Sequence, residues 1–265
     1  MTSRKFLQMP ISKRRRFVIT SVVLSLGFFG IQFLSDQNRF WLIGGLALLT
    51  ILLFVWSLWE GLGFNMTLLS LVLPTIFTLG VGIFWFLLPS NIFARIPIVI
   101  FYGIGIYILC LTMNIYSVAA IRTIALLRAA RGVGFVLTLL TFFLVFDAIL
   151  SLRAAIYVTV PMTVTIALPL FVQAFWSAVL EKEFSRDIFI LSLVSSAIVG
   201  EIAVALFFWP VTVVVGSLFL TAAVYMLVGL GQAKLEDRLF PVTIREHIVV
   251  GALVFIAMFF ATHWG

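Results

Sequence analysis

The feature that most constrains this chain is a succession of long apolar runs that follow one another almost without pause. Nine segments qualify: Phe17–Ser35, Phe40–Trp59, Met66–Leu88, Ile96–Met113, Val133–Leu152, Ala154–Leu180, Ile188–Phe208, Val211–Leu230 and Ile248–His263. A helix needs about 20 apolar residues to cross the hydrocarbon core of a bilayer. A transmembrane β-barrel would show alternating stretches of about ten residues instead. In lipid every backbone N–H and C=O must be paired inside the protein, and a helix does this alone. The sequence therefore predicts an all-α, polytopic transmembrane helix bundle of about nine spans. If Ile248–His263, the shortest run, lies at the interface, the count is eight.

Composition closes the alternatives. Of 265 residues 63% are hydrophobic and only 10% charged, where an average soluble domain is about half apolar and a quarter charged. So few charges cannot clothe a water-soluble fold, and so apolar a chain is not disordered. The net charge of +7 reads as basic loops facing anionic headgroups. Without a basic, aromatic-interleaved soluble segment, no nucleic acid is expected as a partner. The expected surroundings are the lipid bilayer and other membrane subunits.

The breaks between runs are polar. Ser35–Arg39 is a turn-forming stretch, Pro89 opens another, and Glu181–Asp187 is dense in charge. Trp209–Pro210 is the briefest break. Thr243 and Glu246 have the spacing of a capping box, which predicts a helix start there.

Orientation follows from the cations. Threading nine spans puts all but Arg39, Arg95 and Arg153 of the 17 lysines and arginines on the N-terminal side. Lysine and arginine concentrate on cytoplasmic loops, so the N-terminus is expected inside. Residues 1–16 read as a basic cytoplasmic tail and 17–265 as a single transmembrane helical domain. The first apolar run is longer than a signal-peptide core and lacks a clear cleavage site. The lack of any ectodomain points to a multi-pass protein of a prokaryotic inner membrane.

Chemistry is sparse. Cys110 is the single cysteine, and His247 and His263 lie at opposite ends of the last run. No metal site or cofactor is expected. His-Glu-x-x-His, Gly-x-Ser-x-Gly and a Walker loop are all absent, so no catalytic residues are assigned. Two acids interrupt apolar runs, Asp147 and Glu201. A charge at mid-membrane costs roughly 2.5–3.5 kcal/mol on insertion scales, which makes such residues functional candidates. Counted from the helix ends at about 1.5 Å per residue, both fall at similar depth in the outer half. Thr159 and Thr163, around Pro161, and Tyr102 belong to the same depth. These five residues form a candidate ion, proton or polar layer. The competing reading is ordinary hydrogen bonding between helices.

A second candidate is the basic connection 114–132, where Arg122, Arg128 and Arg131 can meet a lipid headgroup. Most arginines so placed simply fix topology. Three functions stay open: passage or sensing of a small solute, ion or proton; a non-catalytic scaffold or complex subunit; and a lipid-modifying enzyme.

Overall fold

A computed structural model describes residues 12–31, 39–59, 64–87, 92–120, 125–180 and 185–262. Among them the chain forms nine α-helices and no strand. They are α1 (Lys13–Ile31), α2 (Arg39–Leu58), α3 (Phe64–Phe84), α4 (Ile92–Ala119), α5 (Leu127–Ser151), α6 (Ile156–Val179), α7 (Arg186–Phe207), α8 (Val213–Leu235) and α9 (Pro241–Ala261). One 3-10 turn, Trp85–Leu87, finishes α3.

Eight of these helices are long and apolar enough to cross a membrane. The ninth is α1, which opens on Lys13, Arg14, Arg15 and Arg16 and so holds a shorter apolar stretch among the described residues. The last run, which looked shortest in sequence, does qualify. Its helix reaches back to Pro241, where proline at the first position gives up an N–H that no helix could satisfy. This corrects the expected start at Thr243, which lies inside the first turn. The long connection 114–132 also shrinks, because α4 continues to Ala119 and α5 begins at Leu127. Between α7 and α8 the chain turns over 208–212, and the Thr212 hydroxyl caps α8 by accepting from Val215 N–H at 3.4 Å.

α5 is the hub. It packs on α3 and α4 to one side and on α6 and α8 to the other, and it is the most buried of the apolar helices. α1 lies against α2 and α4, α6 pairs closely with α7, and α9 rests on α8. Gly200 makes the α6–α7 approach possible, since a Cβ there would strike Val164.

Lipid offers helices no hydrophobic reason to associate, so close packing and hydrogen bonds hold them. Thr20 and Ser57 join α1 to α2 at 2.6 Å, and the Ser21 hydroxyl donates to Gly103 O at 2.6 Å, joining α1 to α4. Arg16 is fully buried and donates to Trp56 O at 3.2 Å. It thereby ties the basic start of α1 to the end of α2. Most other buried hydroxyls bond to the carbonyl one turn earlier, as Thr141 does to Leu137 O, which satisfies them inside their own helix.

Candidate functional site

Two clefts lie at opposite ends of the α5–α8 seam. The first is at the end where α5 begins and α8 finishes, with a volume of about 720 Å³. Its polar walls are Arg128 and Arg131 from α5, Gln232 and Glu236 from the end of α8, Arg238 beyond it, and His247 from α9. Three guanidinium groups thus face one carboxylate.

The local fold explains why these side chains meet. α8 ends in a tight reversal in which Asp237 takes a left-handed conformation, φ 55°. Asp237 N–H bonds to Lys234 O and Arg238 N–H to Ala233 O, the paired pattern of a Schellman ending. The reversal brings both Glu236 and Arg238 to the lining of the cleft. The Arg131 guanidinium donates to Glu236 Oε1 at 2.7 Å and to Ala178 O at the end of α6. Its Nε–H is buried without a partner. Arg238 lies 3.6 Å from Glu236 and is largely exposed. Arg128 is exposed and has no ion-pair partner among the described residues. Gln232 donates to Ala174 O at 3.0 Å and clamps α8 to α6.

His247 stacks on Tyr225 at 5.3 Å between ring centres, and its Nδ1 bonds Thr243 O at 2.8 Å. Its Nε2 presses against Gly229 of α8, where any Cβ would collide with the ring. Tyr225 in turn meets Phe135 edge-on. The cleft therefore has a charged mouth and an aromatic wall.

The second cleft, about 760 Å³, opens at the other end among the ends of α5, α6, α7 and α8. Leu150, Arg153, Thr159, Trp209 and Gly216 are among its lining residues. Asp147 lies one turn before Leu150 and is buried; it accepts from the Ser217 hydroxyl at 3.2 Å.

The candidate layer is not one constellation. Asp147 pairs with α8. Thr159 and Thr163 are buried and bond within their own segment, to Ala154 O and Thr159 O. Tyr102 shares hydrogen bonds with hydroxyls on two other helices: it meets Thr78 at 3.0 Å, and Thr78 meets Thr50 at 3.2 Å. Glu201 is exposed on the outer face of α7. Arg128 and Arg131 do share a cleft, while Arg122 lies outside the described residues. The sequence reading missed Glu236, Gln232 and Tyr225. The polar end of α8, Gln232 to Arg238, signalled the first two, and nothing in the apolar stretch around Tyr225 signalled the third. Among the described residues no group of three or more His, Cys, Asp or Glu could hold a metal ion.

A model of the family DUF5656, described as a protein of unknown function, matches residues 19–261. The chain belongs to the DUF5656 family. No curated protein and no solved structure matches it. The family match runs from α1 to the last residue of α9, so both clefts of this DUF5656 protein lie inside it.

Proposed function

We propose that this DUF5656 protein is a multi-pass protein of a prokaryotic cell membrane that binds the phosphate headgroup of an anionic lipid. The site is the arginine cleft among α5, α8 and α9. The observation that carries the reading is the convergence of Arg128, Arg131 and Arg238 on one cleft that holds a single carboxylate. Guanidinium groups match phosphate oxygens in pairs of hydrogen bonds and carry less tightly held water than an ammonium. Basic pockets between transmembrane helices are a recurring way to hold anionic headgroups. The cleft sits at helix ends, at headgroup level, and by the bias in lysine and arginine that end faces the cytoplasm. Tyr225 and Phe135 offer an apolar wall for the glycerol and upper acyl region.

Binding rather than turnover is the activity this arrangement supports. His247 is engaged by Thr243 O, Tyr225 and the α8 backbone, which leaves it poorly placed to exchange protons with a ligand. Native mass spectrometry of protein purified in mild detergent tests the reading. Wild-type protein should retain phosphatidylglycerol in preference to phosphatidylcholine, and the Arg128→Gln, Arg238→Gln double variant should lose most of that preference. Equal retention by both proteins would dismiss it.

A second reading rests on the other cleft. Asp147 and Ser217 lie just beneath it, and an acid in that position is suited to passage or sensing of a proton or small cation. Asp147→Asn should then abolish proton-coupled flux in reconstituted vesicles. Unaltered flux in that variant removes the reading.

A further inference from the structure

Glu236 is the single carboxylate among the described residues that line the arginine cleft, and both of its oxygens are already engaged. Oε1 accepts from Arg131 at 2.7 Å, and Oε2 lies 3.6 Å from Arg238. The cleft thus holds an anion of the chain's own between two of its three guanidinium groups. Arg131 is largely consumed by that contact: one terminal nitrogen donates to Glu236, the other to Ala178 O, and Nε is buried. It braces α5 against α6 and the end of α8. The guanidinium groups left for a ligand are those of Arg128 and Arg238, both exposed.

A phosphate that docks on Arg238 approaches the Glu236 carboxylate, because the same guanidinium holds both. Like charges repel in proportion to the charge the ligand brings. A phosphodiester brings one negative charge over two free oxygens, which suits the two-donor edge of a guanidinium. A phosphomonoester brings a third free oxygen and nearly two charges. Without Glu236, three guanidinium groups would face the ligand and favour the higher charge. The carboxylate cancels one of them and opposes further charge brought beside Arg238. We propose that Glu236 is the specificity-determining residue of the cleft, tuning it to the singly charged phosphodiester of a lipid headgroup and against a phosphomonoester such as phosphatidate. The inference rests on the headgroup reading given above and names the class of headgroup within it.

Competition between phosphatidylglycerol and phosphatidate at equal concentration, read by native mass spectrometry, tests this. It is run at about pH 8, above the second ionisation of a phosphomonoester. Glu236→Gln keeps the size of the side chain and an oxygen for Arg131 but removes the charge. It should shift the retained ratio about tenfold toward phosphatidate, the order of one unit of repulsion across a half-buried cleft. Glu236→Asp keeps the charge on a shorter stem. It should hold the wild-type ratio even where retention of both lipids falls, whereas a purely structural role for Glu236 would move the ratio in neither variant or alike in both. Wild-type protein that retains phosphatidylglycerol over phosphatidylcholine while Glu236→Gln leaves the ratio unmoved overturns this inference alone, as does an equal shift in Glu236→Asp. Wild-type protein that retains no anionic lipid overturns the headgroup reading and this inference with it.

Discussion

His247 can lie flat between α8 and α9 because residue 229 is glycine. The imidazole occupies the space a Cβ would fill, and its stack on Tyr225 builds one wall of the arginine cleft. Gly229→Val should expel the ring. The imidazole NMR signals should shift, and phosphatidylglycerol retention should fall several-fold. Unchanged imidazole signals would contradict this placement. Tyr102 carries a different kind of load, as the end of a hydroxyl chain through Thr78 to Thr50 that ties together α2, α3 and α4. Tyr102→Phe keeps the ring and removes that link, so it should cost about 1 kcal/mol of stability, measured by unfolding in mixed micelles. The depth of such residues was legible in the sequence, since a helix rises a fixed distance per residue. Their direction was not. In α7 the small residues Ser192, Ser196 and Gly200 at four-residue spacing mark the side that approaches α6, but nothing in the pattern says what Glu201, off that stripe, would meet. Glu201 and Asp147 are level with one another yet point to different surroundings.

Among the elements, α9 is the least embedded and rests on α8. The contact depends on Gly251, where a Cβ would strike Met226, and on Trp209, whose Nε1–H donates to Thr262 at 3.0 Å. Gly251→Leu should lift α9 away while α1 to α8 stay packed. Hydrogen exchange should then rise across α9 alone, and uniform protection would count against the contact. The runs that became helices were legible because lipid leaves the backbone no other choice. The helix starts were less so. Thr243 and Glu246 have the spacing of a cap, but Pro241 two residues earlier has a fixed φ and no N–H to waste, and it begins α9 instead. The pairing of α5 with α8 was invisible, because neighbours distant in sequence leave no periodic trace in either helix.

For the whole molecule, the arginine cleft and the asymmetry of charge describe the same end of the bundle. Arg128, Arg131 and Arg238 lie there, whereas Arg153 stands at the opposite mouth with φ 45°. If that basic end is cytoplasmic, an impermeant maleimide applied to intact cells should label Thr212→Cys and leave Arg238→Cys untouched. Reversed labelling would invert the bundle. The cleft itself was half legible: Arg128 and Arg131 stand out as cations near a helix start, but Glu236 and Tyr225 join them only when α8 folds back against α5.

The account turns on an anionic headgroup held by those arginines, and thermal unfolding in nanodiscs reads that most directly. Phosphatidylglycerol in place of phosphatidylcholine should raise the midpoint of wild-type protein by about 5 °C, as expected for a ligand well above its Kd. The Arg128→Gln, Arg238→Gln variant should show little of that rise. An equal rise in both proteins, or none in the wild type, would contradict the account.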